Sequence, residues 1–234
     1  MSLADKLAHT EALLKEIAAK HGKVALANSF GAEDMVLTHL IATLQLPIGI
    51  FSLDTGRLPV ETYTLMQQVG ERYPANPVRV FYPDAAALEA YVNQNGINAF
   101  YNSVDLRKGC CHIRKIEPLK RALSSLEGWI TGLRRQQSLT RVDLPEAEFD
   151  ADNGLMKYNP LLDWTEKDVW EYIRANDVPY NSLHDKHVPS IGCAPCTRPI
   201  AVGEDIRAGR WWWENPENKE CGLHVKASPL KRPE

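Results

Sequence analysis

Two of the five cysteines in this chain sit side by side, Cys110 and Cys111 in RKGCCHIRK. Two more, Cys193 and Cys196, form a C-x-x-C in the glycine- and proline-flanked turn PSIGCAPCTRP. Adjacent side chains diverge by about 100° on a helix and point to opposite faces on a strand. Neighbouring thiols therefore do not share a core niche, and they are badly placed for a disulfide with each other. Four thiols in two pairs match the ligand complement of zinc or of a [4Fe–4S] cluster. Adjacent cysteines crowd a single tetrahedral ion, whereas a cubane offers each sulfur its own iron, which favours iron–sulfur. A redox-active C-x-x-C is the alternative, and it leaves Cys110 and Cys111 without a role. The fifth cysteine, Cys221 in KECGLH, lies close to Lys219 and His224. Neighbouring cations raise the thiolate fraction, so Cys221 reads as a nucleophile, with an idle surface thiol as the alternative.

Three further stretches could bind ligand. ANSFGAEDMVL places Ser29 and Gly31 in a turn opening a helix, where backbone N–H groups suit a phosphate. An ordinary connection explains it too, with Glu33 and Asp34 as first-turn acids favoured by the helix dipole. LDTGR puts Asp54 at a strand end, either for a ribose hydroxyl or as a turn former. TGLRRQQSLTR gathers Arg134, Arg135 and Arg141, either for phosphate or sulfate oxygens or as solvated charges. The RWWW run at 210–213 reads as an anchor for the segment around it, ahead of a base-stacking role.

Positioning these groups falls to an alternating pattern of elements. Ser2 and Asp5 have capping-box spacing and open a helix that stops at Gly22, with Leu3, Leu7, Leu14 and Ile17 on one face. KVALANSF is a buried strand, GAED a turn into the helix MVLTHLIATL, and IGIFSLDTG a second strand. VETYTLMQQVGERY is a helix, VRVFYPD a third strand, and AAALEAYVNQNG the helix after it. CHIRKIEPLKRAL is helical despite Pro118, and GWITGLRRQQS is a strand entering a basic turn. LMKYNPLLDW is short and extended, and TEKDVWEYIRAN is a helix capped by Thr165 and Asp168. The alternation predicts an α/β fold whose parallel sheet is covered on both faces. Beyond about residue 198 periodicity is lost. The expected division is an α/β nucleotide- and cluster-binding domain over 1–200 and an irregular C-terminal arm over 201–234.

Composition narrows the function classes. The 234 residues carry a net charge of −3, which argues against a mainly electrostatic nucleic-acid binder. No apolar run reaches the length of a membrane span. The first 22 residues carry acids throughout, unlike a signal peptide. A cytoplasmic, reducing location is the default, and clustered cysteines there are more often ligands than disulfides.

KGCCHIRKIEPL, ITGLRRQQSLTR, YNPLLDWTEKDVWEYI, PSIGCAPCTRP, RAGRWWW and KECGLH together resemble the assimilatory adenylylsulfate (APS) reductases of the APS/PAPS reductase family. SFGAED resembles that family's modified PP-loop. The resemblance implies the adenine nucleotide α-hydrolase-like (PP-loop) sandwich and a [4Fe–4S] cluster on Cys110, Cys111, Cys193 and Cys196. It implies nucleotide contacts from Ser29, Gly31, Leu53, Gly132 and Arg141. Lys115, Arg207, Arg210 and His224 would gather around a phosphosulfate. Relatives using the 3′-phosphorylated substrate usually lack the four cysteines, so their presence implies adenosine 5′-phosphosulfate. The implied reaction is reduction to sulfite and AMP through an S-sulfocysteine at Cys221. Plant-type relatives carry a fused thioredoxin-like domain. With this chain ending at Glu234, an external reduced thioredoxin or glutaredoxin is expected. The family often forms homo-oligomers. The alternatives are 3′-phosphoadenylylsulfate reduction and an iron–sulfur PP-loop enzyme of RNA thiolation.

Overall fold

The computed structural model describes residues 1–137 and 144–215. Its six-stranded sheet comprises β1 (Val24–Ala27), β2 (Gly49–Leu53), β3 (Val78–Phe81), β4 (Gly128–Ile130), β5 (Ala147–Asp150) and β6 (Leu155–Tyr158). The spatial order is β3-β2-β1-β4-β6-β5. Every pairing is parallel except that of β5 with β6. Helices α1 (Leu3–Lys20), α2 (Ala32–Thr43), α3 (Val60–Arg72), α4 (Ala85–Asn95), α5 (Val104–Cys111), α6 (Glu117–Leu123) and α7 (Glu166–Ala175) complete the layers.

The side-chain alternation of β1 shows why both faces are covered. Val24 and Leu26 enter the larger core with Leu14, Leu40, Val69, Trp164 and Ile173 from α1, α2, α3, the segment before α7 and α7. Ala25 enters a second core with Phe51, Leu119, Leu123 and Trp129, closed by α6. Burying each large aliphatic side chain contributes roughly 1.5–3 kcal/mol. The anticipated caps are present: Ser2 with Asp5, and Thr165 with Asp168, form reciprocal capping boxes. Helix α1 ends at Lys20, slightly before the expected Gly22 stop.

Two elements differ from the sequence expectation. β5 was not anticipated, because AEFD alternates between exposed and half-buried positions and Phe149 is 64% exposed. An antiparallel edge strand needs no buried apolar run, so it leaves little signal. The helix expected at CHIRKIEPLKRAL begins earlier, at Val104, and is interrupted by a π turn over His112–Ile116. Glu117 N–H bonds the carbonyl of His112 there, and Pro118, which cannot donate, sits in the first turn of α6. No described helix is long and apolar enough to cross a membrane.

Candidate functional site

Strands β2 and β3 lie on one side of β1, while β4 and β6 lie on the other. The winding direction therefore reverses between β1 and β4, and a crevice opens at the carboxyl ends of those strands. A cavity of about 280 Å³ occupies it. Ala27, Phe51, Leu53, Leu119 and Trp129 give it apolar surface suited to a flat base, while Ser29, Lys115, Arg207 and Arg210 give it polar and cationic surface.

Asp34 organises the entrance. It is the third residue of α2 and is buried. Its carboxylate accepts from the Ser29 N–H at 2.7 Å, from Ser29 Oγ at 2.6 Å and from the Gly132 N–H. It thus clasps the loop after β1 to the loop after β4. Burial pushes its pKa up to about 6, and the donors from Ser29 and Gly132 pull against that rise. A Cβ on Gly132 would stand 2.4 Å from Asp34 Oδ1, so only glycine permits this approach. Asp34 is a first-turn acid of α2, as the sequence suggested, and it also faces inward as an acceptor. Its sequence signal, two acids opening a helix, is identical for either role. Glu33 instead receives Arg134 Nε at 2.7 Å.

The four paired cysteines converge beside this cavity. Phe100, Cys196 and Trp211 form a small buried cluster onto which Cys110, Cys111 and Cys193 pack. The C-terminal end of α5 delivers Cys110 and Cys111, and a short 3₁₀ turn, Ala194–Cys196, delivers the other pair. A small second cavity is lined by these four sulfurs together with Arg57, Arg107, Arg114 and Lys115. Thr55 Oγ1 lies 3.2 Å from Cys193 Sγ, and Arg114 Nη1 donates to the Thr55 carbonyl at 2.5 Å. Burial pushes the Cys196 thiol up to about 12, and the neighbouring Cys193 adds to the rise. Burial likewise raises Cys110, opposed chiefly by Arg114.

Four thiols in two pairs are the donor type that an iron–sulfur cluster takes. Among the described residues no group of three or more His, Cys, Asp or Glu side chains is placed to hold a metal ion. Four thiols spread around a cavity suit a cubane, in which each sulfur takes a separate iron. The surrounding arginines and lysine supply counter-charge for a buried thiolate group.

Lys115 joins the two sites. Among the described residues it alone lines both cavities. The π turn that carries it changes the helical phase between Cys111 and α6, as such turns do at functional positions.

Of the residues expected to bind substrate, Ser29, Leu53, Lys115, Gly132, Arg207 and Arg210 line the larger cavity. Gly31 is the cap residue of α2 and is not among the lining residues. Arg141, Cys221 and His224 lie outside the described residues. Of the two alternatives for the arginine loop, neither describes Arg134, which is buried against Glu33, while Arg135 pairs with Asp163 at 3.3 Å near the surface. Asp54 is the turn former, accepting from Gly56 N–H at 2.7 Å and Tyr63 Oη at 2.9 Å. Trp211 is the anchor of the RWWW run at 1% exposure, while Trp212 is 38% exposed. Sequence reasoning missed Arg107, Arg114 and Glu214, whose partners here are distant in the chain, and the Asp34 bond to Gly132.

Residues 23–199 match the phosphoadenosine phosphosulfate reductase domain. The chain is 56% identical over 223 residues to adenosine 5′-phosphosulfate reductase of Burkholderia cepacia, covering 95% of this chain and 89% of that protein. It is 54% identical over 221 residues to the enzyme of the same name from Allochromatium vinosum, covering 94% and 86%. Among solved structures, it resembles a phosphoadenylyl-sulfate reductase from Candida auris in a phosphate complex, with TM-score 0.71, 26% identity and coverage of 81% and 90%. An FMN adenylyltransferase from Candida glabrata shares the fold at TM-score 0.61 and 15% identity, covering 98% and 78%. The switch-point crevice and these likenesses agree: this chain belongs to the phosphoadenosine phosphosulfate reductase family.

Proposed function

We propose that the chain reduces adenosine 5′-phosphosulfate to sulfite and AMP at the expense of an external dithiol. The observation that carries this reading is Lys115 standing between a base-and-anion cavity and four converging cysteines. Names of relatives at 52–56% identity support the substrate without a 3′-phosphate.

The apolar wall takes the adenine, and the loops clasped by Asp34 present Ser29 and Gly132 to the nucleotide. Lys115, Arg207 and Arg210 face the phosphosulfate and offset its charge. The Cys221 thiolate attacks the sulfate sulfur, the bond from sulfur to the phosphate oxygen breaks, and AMP leaves with that electron pair. Cations at the phosphate stabilise the charge that develops on the leaving group. One thiol of a reduced thioredoxin or glutaredoxin then attacks the Cys221 sulfur and sulfite departs, leaving a mixed disulfide; the second thiol attacks it, closing the reductant's own disulfide and releasing the Cys221 thiol.

Cys110, Cys111, Cys193 and Cys196 would hold a [4Fe–4S] cluster. When bound, it supplies a fixed charged group beside Lys115, and two-electron reduction by the dithiol does not require it to carry electrons. The decisive assay is sulfite release from APS with and without reduced thioredoxin. Turnover that needs the dithiol supports the reading, and no sulfite under either condition overturns it.

A further inference from the structure

Arg107 is 1% exposed and lies in α5, three residues before Cys110. Its Nε and Nη2 donate to the two carboxylate oxygens of Glu214 at 3.0 and 2.8 Å. Both side chains are buried, at 1% and 4% exposure. The Arg107 guanidinium also lies 4.8 Å from the centre of the Trp211 ring. The Arg210 guanidinium lies 4.7 Å from the centre of the same ring. Two cations thus share one indole, and the Glu214 carboxylate pairs with Arg107.

Arg210 is fixed on its other sides as well. Its Nη1 donates to the Ile191 carbonyl at 3.2 Å and its Nε to the Cys196 carbonyl at 3.3 Å. Trp211 has φ +41, a conformation that a bulky residue keeps only where its surroundings enforce it. Its N–H bonds the Cys196 carbonyl at 3.3 Å.

We propose that Glu214 is a positioning residue for the anion end of the substrate. Its ion pair with Arg107 holds Trp211 in this conformation, and Trp211 holds the Arg210 guanidinium at the cavity wall. Removing the carboxylate takes two charge-assisted hydrogen bonds from a buried guanidinium that lies beside a second cation. Arg107 then shifts, the indole loses its backing, and Arg210 leaves its place. The consequence is confined to the anion: the apolar wall that receives the base is built from β1, β2, β4 and α6, remote in sequence from this pair. The inference rests on the substrate reading above.

The test uses the cluster-loaded full chain and Glu214→Gln, which keeps size and shape but not charge. Binding of AMP and of adenosine is measured by calorimetry, and KM and kcat for APS by sulfite release. The expected result is an affinity loss of about tenfold for AMP and a matching rise in KM for APS, with adenosine binding unchanged. Arg107→Gln/Glu214→Gln, which removes both charges, should recover part of the AMP affinity. Should Glu214→Gln fail to fold, Glu214→Asp must show the same anion-selective loss at smaller size. Unchanged AMP affinity, or an equal loss for adenosine, overturns the proposal, since a purely structural pair would lower Tm without sparing the base. Wild-type protein that binds neither AMP nor APS sinks the substrate reading itself, whereas normal wild-type binding with an indifferent Glu214→Gln sinks only this inference.

Discussion

The carboxylate of Asp34 accepts both the backbone N–H and the hydroxyl of Ser29, at 2.7 and 2.6 Å, from within a buried position. A pH dependence follows. The folded pKa is about 6 against an ordinary 3.8. Between those values the folded chain holds a proton that the unfolded chain has released. Stability therefore falls as pH rises from about 4 to about 6, by on the order of 3 kcal/mol, and this contribution is flat above. Substrate affinity moves the other way, because only the ionised carboxylate can clasp Ser29 and Gly132 together. Urea unfolding at several pH values, for wild type and Asp34→Asn, checks the slope. A slope retained in Asp34→Asn would assign it to another group.

Gly132 and Gly192 should respond differently to alanine. At Gly132 the new methyl meets Asp34 Oδ1 at 2.4 Å and Glu33 Cβ at 2.9 Å, within a clasped pair of loops. Gly132→Ala is expected to cost about 1–3 kcal/mol of stability and to weaken nucleotide binding. At Gly192 the new methyl meets Arg210 Nη2 at 2.3 Å and Cζ at 2.5 Å, the end of a buried guanidinium that two carbonyls hold. Gly192→Ala should lower Tm and, by displacing Arg210, weaken AMP more than adenosine. Thermal melts and calorimetry on both variants distinguish the two outcomes.

Cys193 makes the cluster proposal measurable. Protein purified without oxygen should be brown and contain about four irons and four acid-labile sulfides per chain. Cys193→Ser should lose both and lower Tm, because assembling such a site is coupled to folding. One tightly held zinc without sulfide would replace iron–sulfur with a single-ion site.

Cys221 should carry the sulfonate. Incubation with APS and no reductant is expected to yield AMP without free sulfite, at most one equivalent per chain. Mass spectrometry should place one added sulfonate in KECGLH, and reduced thioredoxin should release it. Cys221→Ser should bind APS and retain iron yet form no adduct. An adduct mapped to Cys193 or Cys196 would move the nucleophile.

Local patterns made much of this protein legible from its residues alone. The alternation of buried strands and capped helices follows from side-chain periodicity and from backbone groups needing partners at helix ends, both short-range effects. The two cysteine pairs stood out because adjacent thiols suit neither one core site nor a disulfide with each other and because a C-x-x-C turn gathers two more, and the tertiary structure brings all four together. What only the tertiary structure decided is which charged residue meets which. Arg134 and Arg135 look alike in a basic loop, yet one is buried on Glu33 and the other lies at the surface on Asp163. Glu33 and Asp34 look alike at a helix start, yet one faces an arginine and the other holds two loops together. Arg107 and Glu214 are 107 residues apart, and nothing in the sequence links them. Ion pairing and desolvation act through space, and the distances that set them exist only once the sheet order places β1 beside β4 and α5 beneath the segment that carries Trp211.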